Sequence, residues 1–145
     1  MPERETVERA REDAREGKSP STQAGEFVRE EMHHIREGKH GAASTKQAIA
    51  IGLSKARRAG VKLPAKGSAS TQKKAEQDSR ASQSRRKPSR TRSRATSNAL
   101  KREPRSAASR SSLSRQAKSS AVSRGKRARS GAAKKAAQTR TRRAA

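Results

Sequence analysis

Cysteine, tryptophan and tyrosine are absent from this 145-residue chain, and Phe27 is its single aromatic residue. The lack of cysteine excludes disulfides and every thiolate metal site, and suits a reducing compartment. The lack of aromatics removes the flat faces on which unstacked bases are laid, so sequence-selective recognition of RNA is disfavoured. Long apolar runs are missing too. The longest, Ala48-Ile49-Ala50-Ile51-Gly52-Leu53, has six residues, against the roughly 20 that a membrane helix needs, so no membrane partner is expected. The amino-terminal Pro2-Glu3-Arg4-Glu5 is charged and acidic where a secretory signal is apolar and a transit peptide lacks acids. That points to a protein that stays in the cytoplasm.

Acidic residues are scarce in one half only. Residues 65–145 hold 25 Lys or Arg against Glu76, Asp78 and Glu103, a net +22, whereas residues 1–64 hold 13 basic and 10 acidic side chains. With 28% hydrophobic and 35% charged residues, the chain lies on the disordered side of the compositional boundary. A Lys or Arg buried without a partner is strongly destabilising, so the second half must expose its cations. The expectation is a bipartite protein. Residues 1–64 form a small all-α N-terminal module of about three short helices, and residues 65–145 form a long intrinsically disordered basic C-terminal tail rich in Lys, Arg, Ala and Ser.

Within the balanced half, the first helix is expected at about Glu3 to Glu16, with acids toward its start, Arg15 near its end and Gly17 as a stop. Its apolar stripe, Val7, Ala10 and Ala14, is thin, so it is expected to fray. The second helix starts from Ser21 or Thr22, carries Ala24, Phe27, Val28, Met32 and Ile35 at helical spacing, and closes at Gly38. The third opens with Ser44 and Gln47 at capping-box spacing, and ends at Gly60-Val61, a pattern suited to a left-handed Schellman cap. A short repeat supports the layout: Arg15-Glu16-Gly17-Lys18 recurs as Arg36-Glu37-Gly38-Lys39, each followed by Ser-Thr and Gln-Ala steps. Large apolar side chains are too few here to outweigh ordering by much. The module is therefore expected to be marginal on its own, and to be stabilised by binding or by self-association through residues 22–60.

The segments Ser21-Thr22-Gln23-Ala24-Gly25-Glu26-Phe27-Val28 and Lys46-Gln47-Ala48-Ile49-Ala50-Ile51-Gly52-Leu53-Ser54-Lys55-Ala56-Arg57-Arg58-Ala59-Gly60 resemble a family of short bacterial proteins built on a domain of unknown function. The resemblance implies a bacterial source and a small helical module, and assigns no activity. By composition alone, the basic half resembles the arms of linker histones and bacterial histone-like proteins.

Basic residues recur about every third position in that half, separated mostly by Ser, Ala, Gly and Pro. Such a segment can lay cations along a phosphate backbone and release condensed counterions, giving affinity that falls steeply with salt. Engagement of about ten cations with duplex DNA implies a log-log salt slope near −9. The expected nucleic-acid contacts are Arg85, Arg86, Lys87, Arg90, Arg92, Arg94, Lys101, Arg102, Arg124, Lys126, Arg127, Arg129, Lys134, Lys135, Arg140, Arg142 and Arg143. Duplex DNA is the favoured partner and RNA a possible one, bound without sequence preference in the manner of a nucleoid-associated protein. The Ala-rich stretch Gly131 to Ala137 is expected to turn helical only once phosphates quench its repulsion. In the competing reading, the helical half docks a protein partner while the tail tethers it to ribosomal RNA or another polyanion.

Two sharper readings are weaker. A helix-turn-helix over residues 22–60 would need a 3–4 residue turn, and the Gly38 to Ser44 connection is longer. His33, His34 and His40 are the only residues that suggest metal, through the one-turn pairs Glu30 with His34 and His33 with Glu37. With no third ligand to name, neither pair makes a site. No nucleophile with a base and no phosphate-cradling glycine loop is present, so the expectation is a non-enzyme with no cofactor, no metal and no catalytic residue.

Overall fold

Three of the helix stops use the same glycine chemistry. Gly17, Gly38 and Gly60 have φ of 71°, 77° and 97°, the left-handed region that glycine enters without steric cost. After each, backbone N–H groups reach back to the final turn: Lys18 to Asp13, Lys39 to His34 and Val61 to Ala56, at 2.9, 3.0 and 3.0 Å. Those bonds, with the 3.0 Å bond from Gly60 N–H to the Arg57 carbonyl, make the end of the third helix the expected Schellman cap. The computed structural model describes residues 2–84 and 89–144. It places α1 at Arg4–Arg15, α2 at Pro20–Arg36, α3 at Thr45–Arg58, α4 at Ala69–Gln83, α5 at Arg90–Arg102 and α6 at Arg110–Ala144, with a 3-10 turn at Arg105–Ala108.

Helix starts are as local as the stops. Ser44 Oγ accepts the Gln47 N–H at 3.2 Å, while Gln47 Oε1 accepts from the Ala43 N–H at 2.7 Å. This is a capping box displaced by one residue. The second helix is capped by Ser19 rather than by Ser21 or Thr22, because Pro20 fits the first helical position, where no N–H is required. Ser19 Oγ accepts the Thr22 N–H at 3.3 Å, and Gln23 Nε2 donates to the Lys18 carbonyl at 2.9 Å.

Helices α1, α2 and α3 enclose a small core in which Ala10, Ala24, Phe27 and Ala56 are buried, with Val7, Leu53, Val61 and Leu63 packed against them. Alanines keep the helices close. At Gly52 the approach is closest, since a Cβ there would lie 2.7 Å from the Val28 Cα. The first helix does not rest on its thin stripe alone. Its Glu3 N–H donates to Glu30 Oε2 at 3.1 Å, and Arg9 Nε donates to Glu26 Oε2 at 2.9 Å.

The chain past Pro64 does not form the expected disordered tail. Helix α4 packs on α3, burying Ala75 and Asp78. Asp78 accepts from Ser54 Oγ at 2.7 Å and from Arg58 Nε at 2.9 Å. The residues that follow α5 fold back as a strap: Gly41 N–H donates to the Leu100 carbonyl at 2.8 Å, and Ala42 N–H donates to that of Pro104 at 3.1 Å. Thr45 Oγ1 and Arg36 Nε then bond the Ala107 and Ala108 carbonyls at 2.6 and 3.1 Å. Residues 1–109 form one compact unit, and residues 110–145 form a second.

That second unit is helical, with Gly131 to Ala137 inside its helix. Its helix α6 breaks once, at Gly125, where φ is 72° and ψ is 165°. The compositional rule for disorder fails because it asks whether a segment can bury a core. Residues 65–109 need little core of their own, since Ala75, Ala107, Ala108 and Asp78 complete faces of α2 and α3. Most residues of helix α6 are Ala, Arg, Lys or Gln, which lose little on entering a helix, and it exposes its cations instead of burying them.

Candidate nucleic-acid interface

Helix formation places the described expected contacts on two helices, one in each unit. Arg90, Arg92, Arg94, Lys101 and Arg102 on α5, and Arg124, Lys126, Arg127, Arg129, Lys134, Lys135, Arg140 and Arg142 on α6, are all exposed. Arg143 belongs to α6 by its backbone, and Arg85, Arg86 and Lys87 lie outside the described residues. Neither α5 nor α6 contains an acidic residue. Among the described residues, the cations that form ion pairs all lie on α1 to α4 or their connections, the last being Arg58 and Lys74 on Asp78.

Helical spacing of about 100° per residue spreads the α6 cations around the axis. From Lys126 onward, Arg127 and Lys134 fall on one side while Arg129 and Arg140 fall across the axis from them. No apolar face competes, since Leu113 and Val122 are the only large apolar residues of α6 and Val122 is 77% exposed. A rod about 10–12 Å across with cations on every side can meet phosphates from more than one direction.

Helices α1 to α3 treat charge differently. Glu31 is fully buried and Glu30 is 5% exposed, and they share one ammonium, with Lys55 Nζ at 2.7 Å from Glu31 Oε2 and 3.1 Å from Glu30 Oε1. Burial pushes the Glu30 carboxyl up, but the neighbouring Thr6 hydroxyl and the hydrogen bonds from Lys55 and the Glu3 N–H outweigh it and hold the group below its ordinary value. Burial likewise pushes Lys55 down, and the two carboxylates more than reverse this. The Glu3 carboxyl is held down by hydrogen bonds from His34 and Lys39.

Of the histidine pairs suggested by spacing, Glu30 with His34 is loose, with Nδ1 to Oε1 at 3.9 Å, and His33 is exposed. The structure instead gathers Glu31, His34 and His40, each offering a ligand atom within 4.8 Å of the others. Sequence reasoning missed this third member because His40 lies beyond the α2 stop, where no helical spacing relates it to Glu31. The signal was present in Gly38, which reverses the chain and returns the loop toward α2.

No curated protein and no solved structure matches the chain. Residues 15–67 match a family described as a family of unknown function (DUF6496). That segment contains Glu30, Glu31, His34, His40 and Lys55, and none of the cations assigned to nucleic acid.

Proposed function

We propose that the protein binds nucleic acid without sequence preference, with duplex DNA as the favoured ligand, through α5 and α6, in the manner of a histone-like, nucleoid-associated protein. One observation carries the reading: every described cation among the expected contacts is exposed on a helix that has no acidic residue of its own. Phosphates are the polyanions that fit such an array, because each one neutralised releases condensed counterions. The spread of cations around α6 favours bridging of two strands or two duplexes over lying along a single groove. Absence of Tyr and Trp leaves affinity to the phosphates, which position a protein and carry no sequence information.

The reading is tested in the full chain with Arg124, Lys126, Arg127 and Arg129 all changed to Gln. Binding to two duplexes of unrelated sequence should weaken equally, and the log-log salt slope should fall by up to about 3.6, at roughly 0.9 per lost phosphate contact. A variant that binds like the parent, or that loses affinity for one duplex only, would refute it.

A further inference from the structure

We propose that Glu31, His34 and His40 form a binding site for a first-row divalent transition-metal ion of the Zn2+ class. The geometry of the histidines carries it. His40 Nδ1 lies 3.0 Å from the Gly41 carbonyl oxygen, which can only accept, so this nitrogen carries the hydrogen and Nε2 is the ligating atom. Nε2 faces Glu31 Oε1 at 3.1 Å. His34 Nε2 lies 2.9 Å from Glu3 Oε1, an ionised carboxylate, so His34 donates there and its Nδ1 is the atom left for an ion. Each imidazole is thus fixed by an outer acceptor, one a carboxylate and one a backbone carbonyl, which is how metal-ligating histidines are held.

The carboxylate supplies a second, independent observation. Glu31 is completely buried, and neither of its oxygens is aligned for a hydrogen bond although both have nitrogens at contact distance. Lys55 occupies the Oε2 side at 2.7 Å, which leaves Oε1 turned toward His40. One ammonium serves two buried carboxylates, and an ion at Oε1 would meet the Glu31 oxygen that faces His40 instead of Lys55. Two imidazoles and a carboxylate suit Zn2+ and its neighbours better than Mg2+ or Ca2+, and a water completes four-coordination. The rings stand nearly perpendicular, with centroids 6.1 Å apart. Bonds of 2.0–2.1 Å place ligand atoms about 3.3 Å from one another around a tetrahedral ion, so Glu31 and His40 already stand at ligating separation at 3.1 Å and binding only tightens the cluster, whose atoms lie within 4.8 Å.

Isothermal titration of the full chain with Zn2+, paired with the visible spectrum of the Co2+-loaded protein, tests the site. The expected result is one saturable site whose Co2+ bands report low coordination, with affinity cut more than about tenfold in both H34Q and H40Q and unchanged in H33Q, which alters the exposed neighbour. His40 lies in a loop, so H40Q should keep the parent's helical circular dichroism. If it does not, the wild-type Co2+ spectrum decides alone. Affinity weaker than about 1 mM, a six-coordinate aqua-like Co2+ spectrum, or an equal loss in H33Q and H40Q would overturn the proposal.

Discussion

Residues 1–109 and residues 110–145 handle positive charge in opposite ways, α5 excepted, whose cations are exposed like those of α6. All 13 acidic residues lie in the first unit, where several are used inside the structure: Glu30 and Glu31 hold Lys55 between them, and Asp78 fastens α4 to α3 through Ser54 and Arg58. The second unit has no acid at all and turns its cations to solvent. Buried ions need partners within the chain, whereas exposed ones are available to partners outside it. The contrast explains why one chain combines a packed helical module with an array suited to polyanions.

The sharpest way to break the comparison is to empty the core. Phe27 is the largest fully buried side chain, and Phe27→Ala should cost about 3–5 kcal/mol. Denaturant melts of residues 1–109 should collapse accordingly, while hydrogen exchange in α6 stays as in the parent. A loss shared by both units would show that they do not differ in what sustains them.

A smaller effect is expected at the α3–α4 contact. Asp78→Asn removes charge-assisted bonds to a buried carboxylate and should cost about 1.5–3 kcal/mol in urea titrations. The pH dependence has a definite sign. Burial raises the Asp78 carboxyl, but hydrogen bonds from Ser54 and Arg58 and the charges of Arg58 and Lys74 bring it below its ordinary 3.8. The folded state therefore releases that proton more readily than the unfolded one. The stabilisation is full above the ordinary value and is lost as pH falls through the lowered one. The Asn variant should show a flatter acid limb than the parent below pH 3.8.

Capping serines come next. Ser19→Ala and Ser68→Ala should each cost about 1 kcal/mol, since Ser68 Oγ accepts the Thr71 N–H at 3.3 Å as Ser19 Oγ accepts that of Thr22. The smallest change in stability is expected on α6. Gln in place of Arg124, Lys126, Arg127 and Arg129, which are exposed and far from any acid in sequence, should shift stability by no more than about 0.5 kcal/mol per site, though it weakens nucleic-acid binding.

Much of the first unit was legible because its stops and starts are local chemistry. Gly38 and Gly60 sit two residues past helices whose apolar positions recur at helical spacing, and Ser44 stands three residues before Gln47. Helix α4 was legible too, in a signal that went unused. Ser68-Ala69-Ser70-Thr71-Gln72 repeats Ser19-Pro20-Ser21-Thr22-Gln23, and the two starts share their bonds, down to Gln72 Nε2 on the Gly67 carbonyl at 2.9 Å. Net charge over the whole half concealed that motif. A lone acid among cations, Asp78, proved to be a fastening point because it lies where Arg58 and Ser54 can reach it, and no one-dimensional pattern records that proximity. The strap from Leu100 to Ala108 was hidden for the same reason. It is held by backbone carbonyls and by Gly41, where a Cβ would lie 1.9 Å from the Glu103 carbonyl oxygen. The polyanion reading rests on exposed charge, so it depends on α5 and α6 carrying their cations outward and not on whether the segment is helical.

The most direct measurement is the affinity of the intact protein for two unrelated DNA duplexes across a series of salt concentrations. The account predicts one line for both on a log-log plot, with a slope near −9 if about ten phosphates are neutralised. Affinity that barely responds to salt, or that separates the two sequences, would contradict it.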